Sequence, residues 1–249
     1  MSLLTGAPLA LFCFASLLVT CMVPAWRAAR RDARTIHGVG VWAKPLKFMA
    51  ALALFAATTA VLMPAAGASA PLTGIAALVI AASAFEVAYI TFQASRGEPS
   101  HYNTRDTVHA TLTVLMAGGA IGLSASQAWL AWAIAGTNPA WWSSVTILGA
   151  VTGLAATALL GTISGFLLGG HRAPAGPGWH VVGWHRRGDL RPAHFMGVHA
   201  QQCIPMFGLA AARLPAGAAH AGFAALTCVY VLAWAALTHI ALRRRSATI

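Results

Sequence analysis

The stretch Pro71-Leu-Thr-Gly-Ile-Ala-Ala-Leu-Val-Ile-Ala-Ala-Ser-Ala-Phe-Glu-Val-Ala-Tyr-Ile-Thr-Phe-Gln-Ala-Ser95 decides the fold. Between its opening proline and Arg96 it holds one charged side chain, Glu86. At about 1.5 Å per residue, a helix of this length crosses the roughly 30 Å hydrocarbon core of a bilayer. Apolar stretches of the same kind, bounded by charge or by Pro and Gly, lie on either side of it. They run over residues 8–26, 42–64, 107–135, 141–169, 193–214 and 216–242, which with 71–95 makes seven spans in one transmembrane domain, 1–249. Composition agrees. The chain is 58% hydrophobic and 8% charged, where soluble domains carry about 25% charged residues. Its mean hydropathy is +0.70. A soluble globular enzyme and a disordered chain are excluded, and the expected fold is all-α: a polytopic membrane helix bundle of seven transmembrane helices.

Seven spans place alternate loops on opposite sides, so the cations can be sorted. Of the 16 Lys and Arg, only Arg213 falls on one side. Arg27, Arg30, Arg31, Arg34, Lys44, Lys47, Arg96, Arg105, Arg172, Arg186, Arg187, Arg191 and Arg243, Arg244 and Arg245 fall on the other. The positive-inside rule makes the crowded face cytoplasmic, with the N-terminus outside and the C-terminus in the cytoplasm. The net charge of +11 then reflects orientation and attraction to lipid headgroups; the expected partner is the lipid bilayer, not a nucleic acid. No cation precedes the first span and a basic segment follows it, which reads as an uncleaved span and not a signal peptide. Trp129, Trp132, Trp141 and Trp142 flank an outer loop, as interfacial aromatics do. The four cysteines lie inside spans with no Cys-x-x-Cys spacing, so a disulfide framework, a zinc ribbon and covalent haem attachment find no support.

The same topology sorts the polar chemistry. His37, His101, His109, His171, His180, His185, His194, His199 and His239 lie in inner loops or inner halves of spans, and only His220 lies towards the outside. Glu86 is the exception in depth, about nine residues and so roughly 13 Å above the inner end of its span. An ionisable group there is costly and marks a functional site by default. Glu86, Tyr89 and Gln93 share one helical stripe leading to Arg96, and such a stripe must face protein or water. A protonated Glu86 acting as glue between helices is the structural alternative.

The sixth span carries a second polar group. His194 and Gln201 share one face, while His199, Gln202 and Cys203 share another. His194 and His199 stand about 140° apart around a helix and cannot easily ligate one metal together. Pro205 removes a backbone N–H and loosens the helix nearby. Ahead of the fourth span, Asn103 or Thr104 can cap the helix, and Asp106 and His109 have the spacing of a carboxylate orienting an imidazole. A well-capped helix has the same pattern.

The second and sixth spans begin alike: Lys44-Pro-Leu-Lys-Phe-Met-Ala50 aligns with Arg191-Pro-Ala-His-Phe-Met-Gly197, and the same separation relates Arg96 to Arg243. Spans one to three and five to seven would then be parallel repeats around a fourth, a 3+1+3 arrangement of a kind used by some transporters. Ala233 stands opposite Glu86 in that alignment, so any polar function is asymmetric. Both helix starts place cations at the positive end of a helix dipole, which is unfavourable unless an anion lies close.

Three strings carry a resemblance: Lys44-Pro-Leu-Lys-Phe48; Phe85-Glu-Val-Ala-Tyr-Ile-Thr-Phe-Gln-Ala-Ser-Arg-Gly97 continuing to Ser100-His-Tyr-Asn103; and Gly188-Asp-Leu-Arg-Pro-Ala-His-Phe-Met-Gly-Val-His-Ala-Gln-Gln202. Together they resemble an uncharacterised bacterial family of multi-pass membrane proteins. The likeness extends from the second span to the sixth and implies a location in the bacterial cytoplasmic (inner) membrane. It implies no reaction, and no site residue is carried over from it.

Three functions fit the residues. In the first, an inward-facing pocket binds a small ligand, haem or a transition metal, with membrane oxidoreductase chemistry as one use; His109, His194 and His199 are the candidate metal ligands. In the second, a transporter takes up a proton on Glu86 and draws in a small anionic or polar solute, with glycines such as Gly149, Gly153 and Gly161 allowing helices to approach and slide. In the third, an accessory subunit uses the polar stripes only as glue. Glu86, Tyr89 and His109 are the candidate reactive groups. Gln93, Gln201, Gln202, Lys47, Arg96 and Arg191 are candidate ligand-binding groups, with Lys47 and Arg191 at the mouth. Retinal is not expected, because a Schiff base needs a buried lysine and the only lysines, Lys44 and Lys47, lie at a membrane edge.

Overall fold

A computed structural model describes residues 5–36, 38–67, 71–101, 103, 105–169, 184–185 and 188–243. His37, Tyr102, Thr104, His171, Arg172, His180, Arg186, Arg187, Arg244 and Arg245 lie outside the described residues. The helices are α1 (Gly6–Arg31), α2 (Ala43–Leu62, prolonged by a 3-10 turn at Met63–Ala66), α3 (Leu72–Arg96), α4 (Thr107–Thr137), α5 (Val145–Gly169), α6 (Arg191–Val198), α7 (Ala200–Ala211) and α8 (Ala216–Arg243). A two-stranded hairpin, β1 (Thr35–Ile36) and β2 (Val39–Gly40), joins α1 to α2.

Among the described residues six helices are long and apolar enough to cross a membrane: α1, α2 with its 3-10 turn, α3, α4, α5 and α8. Large apolar side chains such as Val114, Val229 and Leu232 are exposed on them, the reverse of a soluble bundle and the arrangement a lipid solvent favours. The protein is therefore built as an all-α, multi-pass membrane bundle. The sixth apolar stretch departs from the expectation of one helix over 193–214. It forms α6, of 8 residues, and α7, of 12, with a break at His199.

The chain divides into two compact units, one comprising Met1–Pro64 and Pro71–Ser126, the other Ala65–Ala70 and Gln127–Ile249. In the first, α1, α2 and α3 pack together. Their connection is tied down by Arg34. Its guanidinium grips Asp32 at 2.7 and 2.9 Å and donates to the carbonyl of Ser95 at 3.0 Å. Asp32 also accepts the Trp42 indole N–H at 2.9 Å, anchoring the residue that precedes α2. The α3 terminus closes through Gly97 (φ 70°, ψ 24°), whose N–H reaches Ala94 while that of Glu98 reaches Gln93. This paired closure needs a left-handed residue, and a side chain at Gly97 would also meet the Arg34 guanidinium at 3.1 Å.

In the second unit α5 packs along α6 and α7 with their backbones in close approach at several glycines. A Cβ at Gly197 would stand 2.8 Å from the Leu160 carbonyl, one at Gly208 2.7 Å from the Val145 carbonyl oxygen, and one at Gly153 2.6 Å from the Pro205 ring. Small residues permit this backbone-to-backbone approach, which is how membrane helices associate when burial of apolar surface gives no advantage over lipid. Val145, Ala200, Ile204, Ala211 and Phe223 form the accompanying core.

The break at His199 follows from this seam. Pro205 lacks the N–H that would reach Gln201, but the helix yields earlier, where Gly197 lies against the α5 backbone. The Gln201 N–H, which an unbroken helix would direct to Gly197, donates instead to the Thr157 hydroxyl of α5 at 2.7 Å. The Met196 carbonyl accepts the Tyr230 hydroxyl of α8 at 2.6 Å. Buried backbone groups freed by a break must find such partners, and here α5 and α8 supply them.

Candidate functional site

The expected polar groups divide between the two units, and each unit arranges its own. In the first, the α3 stripe faces protein, as its spacing requires: Ser83, Glu86, Tyr89 and Gln93 are all buried. Glu86 is 5% exposed. A side chain at Gly119 of α4 would come within 3.5 Å of its carboxylate oxygen, so the missing Cβ makes room for the carboxyl. Among the described residues no hydrogen bond to that carboxyl is found, and the one charge acting on it is the Lys44 ammonium. The Ser83 and Tyr89 hydroxyls and the Gln93 carbonyl oxygen are also buried without partners, although the Gln93 amide donates to the Pro99 carbonyl. Tyr89, Ile90 and Met116 pack as a cluster with Phe48, Phe85 and Leu112. The helix therefore carries a stripe of polar groups, with the carboxyl between Ser83 and Tyr89, that have few partners among the described residues.

At the foot of this stripe a charged network surrounds His109. Its Nδ1 lies 2.8 Å from Asp106, and its Nε2 lies 3.6 Å from Glu98. The His109 backbone N–H caps the helix through Asp106 at 2.9 Å. Arg105 bridges both carboxylates, at 3.0 Å to Glu98 and 3.3 Å to Asp106, and Arg96 stands 3.5 Å from Glu98. The backbone N–H and then the ring of His109 hold Asp106 down at about 2, and the Arg105 guanidinium keeps Glu98 below its ordinary range. Both are ionised at neutral pH, so His109 sits between two carboxylates. Close by, His101 meets the Phe48 ring edge-on at 6.0 Å. Burial, then the Lys44 charge, pushes this imidazole down to about 3, which keeps it neutral. Lys44 lies over the Phe48 ring at 5.7 Å, and Lys47 is exposed on α2.

The second unit holds the other expected residues. His194 turns towards α5, its Nδ1 3.2 Å from the Ser164 hydroxyl. His199, at the break, points elsewhere. Its ring lies tilted against Phe195 at 4.1 Å between centroids, its Nδ1 lies 3.1 Å from the Gln202 carbonyl oxygen, and its Nε2 is buried without a partner among the described residues. Gln201 is fully buried, and neither atom of its amide finds a partner among the described residues. Arg191 is held by Asp189 at 2.7 Å, and Asp189 also accepts the backbone N–H groups of Arg191 and His185. Burial works against ionisation of Asp189, but the Arg191 guanidinium and these N–H groups outweigh it and lower its pKa. The anion called for at this helix start is thus the chain's own carboxylate. The likeness of residues 44–50 and 191–197 extends to both beginning helices with a proline in the first turn, and ends where α6 breaks.

His109 belongs to the first unit, and His194 and His199 to the second. Among the described residues no three His, Cys, Asp or Glu side chains gather closely enough to hold a metal ion. The four cysteines are free thiols. Sequence reasoning missed Thr157, Ser164 and Tyr230, which sustain the break and orient His194. Their signal was faint: isolated hydroxyls in apolar spans.

Comparison with protein-family models, with curated proteins and with solved structures finds no match to the chain, so its function has to be read from its own residues.

Proposed function

We propose that the protein is a proton-coupled transporter of a small anionic or polar solute, with Glu86 as the group that carries the proton. One observation supports this above the others: a buried carboxyl in an apolar helix, beside a glycine and with no hydrogen-bond partner among the described residues. A carboxyl serving only as glue would be expected to be bonded. Its lack of a partner suits a group that gains and loses a proton during a cycle. In this reading Tyr89 and Gln93 line the proton's route, and His109, between Asp106 and Glu98, relays protons at the inner mouth. Lys47 and Arg96 attract the anion. Within the second unit, Gln201 and Gln202 place amides beside the break, and interrupted helices of this kind hold substrates in many transporters.

The same reading counts α6 and α7 as one interrupted span. Residues 191–211 cover about 31 Å at helical rise, making seven crossings with the N-terminus outside and the C-terminus in the cytoplasm of a bacterial inner membrane. Vesicles from producing cells, given an inward proton gradient and a panel of labelled small organic anions, should accumulate at least one of them. Glu86→Gln should abolish the gradient-driven part. Uptake indifferent to the gradient, or intact in the variant, would end the proposal.

A cofactor-binding reading keeps one specific support, the buried and unpartnered Nε2 of His199, whose ring Gln202 orients as a ligand's ring must be. It predicts that the purified protein has a haem-type absorption band, or a bound transition metal, that is lost in His199→Ala or His109→Ala. A clear spectrum and no metal by elemental analysis would end the cofactor reading.

A further inference from the structure

The structure assigns a binding site for one sodium ion to the break between α6 and α7, with oxygens of Gly197, Val198, Gln201 and Thr157 as its ligands. The site lies wholly within the second unit and stands whether or not Glu86 carries a proton. Its starting point is Gln201, which is fully buried and whose amide finds no partner among the described residues. A buried amide is costly in that state unless something meets it. Around it, acceptors are left over. The Gln201 N–H is spent on the Thr157 hydroxyl at 2.7 Å, and the N–H groups of Gln202 and Cys203 both go to the His199 carbonyl, at 3.1 and 3.2 Å. These three donors are closed to an anion. The Gly197 and Val198 carbonyls meanwhile lose the donors that a continuous helix would send them.

The fold brings these oxygens to one place. Carbonyls at the end of α6 point along its axis into the break, and the Gln201 side chain leans back towards the start of α7, so it meets the break from the other side. Thr157 closes the third side from α5. Gly161, one turn from Thr157, lies against the same two residues: a Cβ there would stand 3.3 Å from Val198 Cγ1 and 3.8 Å from the Gly197 carbonyl carbon. Thr157 accepts one N–H and keeps a second lone pair for a cation. Size and charge then select the ion. The helices are pinned on either side of Thr157, where a Cβ at Gly197 would stand 2.8 Å from the Leu160 carbonyl and one at Gly153 2.6 Å from the Pro205 ring, which suits a bare small ion and not a solute. The only carboxylate of the second unit, Asp189, is held by Arg191 at the start of α6. A neutral set of oxygens suits a monovalent ion, because calcium sites draw on carboxylates. Unwound carbonyls and half-helix ends hold sodium in interrupted membrane helices.

The test is the melting temperature of the whole purified protein in detergent, titrated with sodium, potassium or choline chloride at constant ionic strength. Sodium should raise it along a saturating curve, as a ligand of the folded state does, and potassium should need at least about tenfold more. Gln201→Met removes the amide at similar size; it should melt no lower than wild type in choline and should lose the sodium response. Thr157→Ser keeps a hydroxyl and should keep the response. So should Glu86→Gln, which alters the other buried oxygen group able to attract a cation. Amide hydrogen exchange on the wild-type protein gives a second reading that needs no variant: sodium should slow exchange in peptides covering 157–161 and 197–203, and not in those covering α3. An equal rise with choline, a response kept in Gln201→Met or lost in Glu86→Gln, or exchange at the break that sodium leaves unchanged would each overturn the assignment.

Discussion

Gly197→Val should prevent the second unit from forming a stable fold. The added Cβ would lie 2.8 Å from the carbonyl carbon and oxygen of Leu160 and 2.9 Å from the nitrogen of Gly161. All three are backbone atoms, so no side chain can swing aside, and the helices must part. Parting would pull the Gln201 N–H from Thr157 and the Met196 carbonyl from Tyr230, exposing two polar groups to an apolar interior at about 1–3 kcal/mol each. Together with overpacking of about 1–3 kcal/mol, the expected cost exceeds about 3 kcal/mol. Gly118→Ala is the control. Nothing lies within 4 Å of a Cβ at Gly118, and helix propensity should make that change neutral or favourable by up to about 1 kcal/mol. Thermal melts of the two variants in one detergent decide the matter; a Gly197→Val melt close to wild type would show that α5 and α6 do not meet as described.

Replacing Glu86 by Met should stabilise the protein while it stops transport. The two side chains are similar in size, so packing changes little, and the substitution removes a buried carboxyl to which no described residue hydrogen-bonds. Burying such a group costs about 1–3 kcal/mol by protein mutational data, which the variant should recover as a higher melting temperature. The outcome separates a working site from a structural one. If Glu86 were glue in an accessory subunit, Glu86→Met would lower the melting temperature instead. Opposite signs in stability and activity are what a residue kept for its chemistry produces.

Much of this was legible in the sequence because hydrocarbon solvent leaves few choices. Stretches such as 71–95 and 216–242 contain too little charge to be anything but helices in lipid, and they match α3 and α8 to within a residue or two. The Glu86 stripe was readable because three polar residues on one face of an apolar helix have to turn inward. The break at His199 was not. It depends on how closely Gly197 can approach the Leu160 carbonyl, a contact between residues far apart in the chain, and a hydropathy pattern carries no information about backbone proximity. Pro205 pointed to the right helix but to a position nearly two turns too late. The partners at the break were equally hidden, since Thr157 and Tyr230 are single hydroxyls whose role exists only once α5 and α8 are in place. The network around His109 was half visible: the spacing of Asp106 and His109 suggested their bond, whereas the approach of Glu98 required the turn at Gly97.

Arg34 bears on the order of assembly. Its acceptor on α3, the Ser95 carbonyl, lies 61 residues downstream. On a ribosome the first two helices are therefore made well before this clasp can shut, and during that interval they depend on their mutual packing and the Asp32 fork. Arg34→Ala should leave the finished protein intact in composition but slow its maturation, measurable as a longer protease-sensitive interval in pulse-labelled cells.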